Sequence, residues 1–291
     1  MVEADWMGIE APKGYKVLRE GKANLLYIEE QMEKDEHNRV KNAAGSKRQA
    51  NEVNETRGAV FYNPVQEFNR DTSILVINEF NAMLSEERAA KGKSHDGIRV
   101  FEALAATGLR SVRYLKEIPS ITQFVGNDID KAATALMTKN FEFNGCAPEK
   151  FRVETMDAVD LMNQYRRDKT VFDVVDLDPY GTAIPFLEGA ITSLANNGLL
   201  CVTFTDMAVL CARQPHVCFY KYGSAPLGKP YCHEQALRMV LFTINTMANK
   251  HGKRVEPLLS LTVDFYVRLF IRVKAAPQEC HQSIRKYSHI F

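Results

Sequence analysis

Residues 171–181 read Val171-Phe172-Asp173-Val174-Val175-Asp176-Leu177-Asp178-Pro179-Tyr180-Gly181. Val171–Asp176 is continuous and rich in β-branched residues, as expected for a strand buried on both faces. Asp176 and Asp178 close it, and carboxylates there cost free energy unless they reach partners or solvent. Proline and glycine then turn the chain. Open α/β sheets bind their ligands at the carboxyl ends of the strands. This one stretch therefore predicts both a central parallel strand and a site at its tip.

Outward from it the same rhythm repeats. Ile98–Leu104, Gln123–Asn127, Phe151–Met156 and Leu199–Phe204 predict strands. Leu109–Ile118, Lys131–Asn144 and Pro185–Leu194 predict helices, the last with proline in its first turn. Alternation over residues 98–204 predicts a doubly wound parallel sheet. A helix over His233–Asn249 follows, then strands near Pro257–Val263 and Tyr266–Lys274, joined tightly through Asp264-Phe265 as an antiparallel hairpin. Five parallel strands closed by such a hairpin predict an α/β fold of the class I S-adenosylmethionine-dependent methyltransferase type, a Rossmann-like sheet rather than a six-stranded dinucleotide fold. Upstream, Arg70–Leu84 has helical spacing and Gly58–Pro64 reads as a strand or turn. No aromatic residue lies between Tyr27 and Phe61, and residues 29–57 read as a mobile polar insertion.

Composition narrows the classes. The chain has 291 residues, 45% of them hydrophobic, enough for a sizeable core. No run approaches the roughly 18 apolar residues of a membrane helix, so a spanning protein is not expected. The N-terminus lacks an apolar core, and Glu3, Asp5 and Glu10 speak against a transit peptide. Six cysteines contain no C-x-x-C pair, so their spacing predicts idle thiols in a reducing compartment and no metal site. The net charge of +1 excludes a uniformly basic nucleic-acid coat but hides an asymmetry. Residues 205–291 carry 12 basic and 5 acidic side chains, whereas residues 98–204 carry 11 and 14. The basic final third suggests phosphate contacts on one side of the site, through Arg213, Lys221, Lys229, Arg238, Lys250, Lys253 and Arg254, unless these are plain solvated charges.

The strand tips supply the chemistry. Phe101-Glu102-Ala103-Leu104-Ala105-Ala106-Thr107-Gly108-Leu109-Arg110 is a small-residue turn before a helix, which lets a ligand approach free N–H groups. With one glycine it is not a pyrophosphate cradle. Asn127-Asp128-Ile129-Asp130 offers Asp128 to a pair of ribose hydroxyls and Asp130 as a helix cap. At Met156-Asp157-Ala158 an acid and the next N–H can read adenine, or Asp157 is a plain cap. At Asp178-Pro179-Tyr180 the residue types resemble the Asp/Asn-Pro-Pro-Tyr/Phe signature of enzymes that methylate base amines. An aryl amine is a poor nucleophile, and N–H hydrogen bonds to a fixed carboxylate return electron density to nitrogen. Proline stiffens the loop, and an aromatic ring holds the base in line. Phe61–Asp71 mixes aromatics, amides and charge, and taken alone reads as amphipathic packing.

Over residues 58–274 the motifs together resemble the tRNA (guanine-26, N2)-dimethyltransferases of the Trm1 type. They are Phe61 to Asp71, Phe101 to Arg113, Asp176 to Gly181, Cys201 to Ala208, Lys221-Tyr222-Gly223, Cys232-His233-Glu234, and Pro257 through Arg268. The resemblance implies transfer of one or two methyl groups from S-adenosyl-L-methionine to guanine N2 at position 26 of tRNA. It implies cofactor contacts at Arg70, Arg110, Asp128, Asp157 and Ala158, catalysis at Asp178 with Pro179 and Tyr180, and stacking of the base by Phe61 and Tyr180. It implies a C-terminal domain beyond this chain. Residues 1–97 then form an extension touching substrate and cofactor, 98–274 the methyltransferase domain, and 275–291 the start of a truncated C-terminal region. A monomer with no membrane partner is expected, in the nucleus, cytoplasm or mitochondrion. A catalytically idle tRNA-binding paralogue, or an amino-methyltransferase acting on another base, stays open at this point.

Overall fold

The structure, a computed structural model, describes residues 11–27, 62–211 and 213–286. In chain order the elements are β1 (Lys16–Glu20), β2 (Ala23–Tyr27), α1 (Glu67–Ala89), β3 (Ile98–Glu102), α2 (Leu109–Glu117), β4 (Ile121–Asp128), α3 (Lys131–Phe143), β5 (Phe151–Thr155) and α4 (Ala158–Arg167). They continue with β6 (Phe172–Leu177), α5 (Ile184–Ser193), β7 (Leu194–Phe204), α6 (Met207–Leu210), α7 (Pro215–Tyr222), α8 (Cys232–Lys250), β8 (Lys253–Val263), β9 (Tyr266–Ala275) and α9 (Pro277–Cys280). The Glu29–Glu55 segment and Phe61 lie outside the described residues.

Seven strands form one sheet in the order β5-β4-β3-β6-β7-β9-β8. β3 through β7 run parallel, and β9 is antiparallel to both β7 and β8. The sequence pattern anticipated this topology, including the turn at Asp264-Phe265. β6 lies at the centre and is buried along its whole length, as its apolar run requires. β7 begins earlier than expected, because a register shift opposite Phe172 and Val174 accommodates the polar Asn196-Asn197 before the apolar run.

The helices cover both faces. On one, α4, α5 and α8 pack on Phe101, Val175, Leu200 and Ile271. On the other, α1, α2, α3 and the β1–β2 hairpin bury Val100, Val174, Leu199 and Phe270. Ala23, Leu25, Ile77 and Phe80 thus belong to the sheet's own core, so the sequence division at residue 97 is not a packing boundary. The hairpin turns through Gly21, whose φ of +52° suits a two-residue turn.

Candidate active site

The tips of β3, β4 and β5 are tied together by one residue that sequence reading passed over. Asn127 is fully buried, and its amide donates to the carbonyls of Ala103 and Met156 at 3.0 Å each. Its side-chain oxygen accepts from Met156 N–H at 3.1 Å. Beside it, the Asp128 carboxylate accepts from Ala106 N–H at 2.8 Å and from Asp130 N–H at 3.0 Å, one bond per oxygen. A carboxylate has about four acceptor positions, so each oxygen retains capacity for a ligand hydroxyl. The exposed side chain of Ile129 adds an apolar surface next to that acceptor. The turn into α2 passes through Gly108, at φ +83°, where a Cβ would sit 2.5 Å from Met137 Cγ. Gly108 gives α2 no capping side chain, so the helix start can receive an anion. This donor and acceptor set fits a nucleoside carrying a carboxylate.

One strand inward lies a buried ionic cluster around β6. Arg268 of β9, fully buried, donates two hydrogen bonds of 2.8 Å to the Asp176 carboxylate. Tyr114 O–H donates to the same carboxylate at 2.5 Å. Arg110 donates to Asp178, to Asn69 Oδ1 at 3.1 Å and to Ser73 Oγ at 3.2 Å. Its Nε lies 3.5 Å from Glu102, which Ser111 Oγ–H also approaches at 2.5 Å. Burial opposes charge on Asp176, yet Arg268 and Arg110 hold its carboxyl below the usual range. Burial likewise opposes the Arg110 charge, and Asp178 and Asp176 outweigh it. Glu102 goes the other way: burial pushes its carboxyl up to about 8, against the pull of Arg110. Two guanidiniums therefore face Asp176 and Asp178, and burial holds Glu102 beside them toward its neutral form.

That assignment has a pH consequence. The folded chain keeps the Glu102 proton up to about pH 8, whereas the unfolded chain releases it near its ordinary value of 4.5. Between these values the folded state binds more protons, so this group's contribution to stability falls as pH rises, with a limiting slope of about 1.4 kcal/mol per pH unit. Glu102→Gln removes the titration. Its melting temperature is expected to gain on wild type steadily from about pH 5 to about pH 8. A constant offset across that range would refute the protonated assignment.

The loop after β6 is held from behind. Pro179 is buried, Tyr180 is 73% exposed, and Gly181 turns the chain at φ +77°. Gly181 N–H donates to Thr205 Oγ1 at 2.7 Å, and Thr205 N–H returns a bond to the Gly181 carbonyl at 2.8 Å. Tyr222 O–H donates to Asp206 at 2.7 Å, which leaves Thr182 Oγ–H to donate to Tyr222 Oη at 2.8 Å. Tyr266 opens β9 opposite Val263 of β8 and is buried, and its hydroxyl has no hydrogen-bond partner among the described residues.

The expected site residues divide. Arg110, Asp128, Asp157, Ala158, Asp178 and Tyr180 all sit at the carboxyl ends of the parallel strands or in the first turn beyond them. Asp130 caps α3 by accepting from Ala132 N–H at 2.7 Å, and Asp157 caps α4 through the N–H groups of Val159 and Asp160. Arg70 is engaged elsewhere: its guanidinium pairs with buried Glu20 and donates to the Asn63 carbonyl at 3.2 Å. Glu20 lies on the hairpin that sequence reading missed. The basic residues are also not on one side. Arg213, Lys221, Lys229 and Arg238 lie on or near α7 and the first half of α8. Lys250, Lys253 and Arg254 lie at the opposite end of the strands, level with the start of β7, as the pairing of β7 with β9 and of β9 with β8 requires. There Lys253 Nζ donates to the carbonyls of Ile191 at 2.6 Å and Leu194 at 3.1 Å, and Arg254 pairs with Glu279 at 3.2 Å.

Comparison with known proteins follows this geometry. The family model of N2,N2-dimethylguanosine tRNA methyltransferases matches residues 39–291. The chain belongs to this family. Among curated family members, a tRNA (guanine(26)-N(2))-dimethyltransferase of Drosophila melanogaster is 42% identical over 264 residues, covering 80% of this chain and 46% of the relative. A mitochondrial one of Saccharomyces cerevisiae is 32% identical, covering 96% of this chain and 51% of the relative. Family member Trm1 of Pyrococcus horikoshii, solved with S-adenosyl-L-methionine, superposes with a TM-score of 0.73 at 28% identity, over 93% of this chain and 64% of that one. The sheet order and this likeness establish the class I methyltransferase fold. The chain spans about half the length of the curated relatives it matches. Among the described residues no helix is long and apolar enough to cross a membrane.

Proposed function

We propose that this chain carries the catalytic domain of a tRNA methyltransferase that modifies the exocyclic N2 of guanine 26, using S-adenosyl-L-methionine. The observation that carries the reading is Asp178. It stands at the tip of the central strand, oriented by Arg110, on a loop whose proline is buried and whose tyrosine is exposed. When bound, the cofactor supplies an electrophilic methyl group. Asp128 holds the ribose hydroxyls, Asp157 and the Ala158 N–H read adenine, and the start of α2 faces the carboxylate. Asp178 accepts hydrogen bonds from the guanine amine and takes up the proton that nitrogen loses. The exposed Tyr180 stacks on the base. Arg70 contributes through Glu20, by fixing the turn at Asn63 that leads into α1.

The direct test incubates the chain with an unmodified tRNA transcript and labelled S-adenosyl-L-methionine, followed by mass analysis of nucleosides. N2-methylguanosine or its dimethyl form is expected, absent when guanine 26 is changed to adenine. Methylation that persists on the adenine transcript would assign another target. No transfer, with cofactor still bound, would leave an RNA-binding role. Phosphate contacts are proposed at Arg213 and Lys229, which are exposed near the site. Lys229→Ala should weaken tRNA binding and reduce the slope of log affinity against log salt by about 1. Lys253→Ala, at the far end of the strands, should leave that slope unchanged.

A further inference from the structure

The fold assembles a cluster that spacing in the sequence does not suggest. Cys211 ends α6, while Cys232 and His233 open α8. One ligand atom of each, the two Sγ atoms and a ring nitrogen of His233, all lie within 4.8 Å of one another. A tetrahedral ion with sulfur bonds of about 2.3 Å and a nitrogen bond of about 2.0–2.1 Å holds such atoms roughly 3.5–3.8 Å apart, so each needs to move by no more than about 1 Å to close the site. Two thiols and an imidazole form a soft donor set suited to zinc. We propose that Cys211, Cys232 and His233 bind a zinc ion, with water in the fourth position.

The surroundings support the charge balance. Cys232 is the first residue of a 19-residue helix whose cap residue, Tyr231, contributes no side-chain hydrogen bond. The positive end of the helix therefore lies beside the sulfur that would hold the ion. Two thiolates neutralise Zn2+, so the loaded site carries no net charge, which suits two half-buried cysteines. His233 is exposed, which leaves the water position open to solvent. The ion would join α6 to α8 and so close the segment carrying α7. α6 directly follows Thr205 and Asp206, the residues that hold the loop after Asp178 from behind. A search for C-x-x-C pairs passes over such a set, because Cys211 follows α6 and its two partners open α8.

The test is metal analysis of the full chain, purified under reducing conditions without chelator and run through gel filtration. One zinc per chain is expected. It should be lost in Cys211→Ser and Cys232→Ser, and kept in Cys280→Ser, whose sulfur lies on α9. To keep the test independent of variant folding, the metal-stripped wild type is titrated with Co2+. Thiolate charge-transfer bands with tetrahedral visible absorption are expected, and His233→Ala should shift the visible bands. Wild-type protein that holds no zinc and gives no thiolate–Co2+ bands would overturn the proposal. So would a Cys211–Cys232 disulfide persisting in reducing buffer, or full zinc retention by both serine variants.

Discussion

Asp178→Asn should lower the rate of methyl transfer by about 10²–10⁴-fold, the range for removing a positioned proton acceptor. The substitution keeps the shape of the side chain but removes the charge that faces Arg110 and the amine. Cofactor affinity should change little, because Asp128, Asp157 and the start of α2 lie on β4, β5 and the turn after β3. Calorimetry with S-adenosyl-L-methionine and single-turnover transfer to tRNA separate the two effects. A variant that turns over within about tenfold of wild type would remove Asp178 from the chemistry. Loss of cofactor affinity in parallel with activity would instead make the Asp178–Arg110 pair part of the cofactor site.

Arg268→Met has the second large effect, on stability. The methionine fills much of the same volume but leaves Asp176 fully buried without its two-pronged donor. Breaking a buried ion pair by removing one partner typically costs about 3–5 kcal/mol. For a domain of this size that corresponds to a fall in melting temperature of roughly 6–20 °C. Asp176→Asn in the same background should recover part of the loss, because it removes the stranded charge while keeping a partner for Tyr114. Thermal denaturation of the single and double variants measures this. Equal or greater destabilisation of the double variant would show that Asp176 is neutralised by other groups.

The strands and helices from Ile98 to Phe204 and from Cys232 to Ala275 were legible because they bury alternating faces of a sheet, and burial leaves a periodic imprint, whereas the short α6 and α7 between them were read as a loop-rich stretch. The β1–β2 hairpin was missed, although Leu18, Gly21 and Leu25-Leu26 carried a turn flanked by apolar residues. Missing it hid Glu20, and with Glu20 the partner of Arg70. Asp178 and Asp128 were legible because a carboxylate at a strand tip is unusual in any sequence. Glu102, Tyr114 and Arg268 were not. Each is polar inside an apolar run, and its meaning depends on partners from other strands and helices. The basic residues show the same limit: a tally along the chain cannot tell which end of the sheet each one reaches.

The pairing of Asp176 with Arg268 spans 92 residues, and that of Ser73 with Arg268 spans 195. Contacts so distant in sequence form late, after their intervening loops have closed. On the ribosome, β6 and its acidic tip emerge well before β9. Until that strand inserts, Asp176 has no guanidinium from β9 to lie against, and the centre of the sheet cannot close around it. The last strand of the sheet thus sets an order in synthesis: the Asp176 carboxylate gains its Arg268 partner only once β9 has been made.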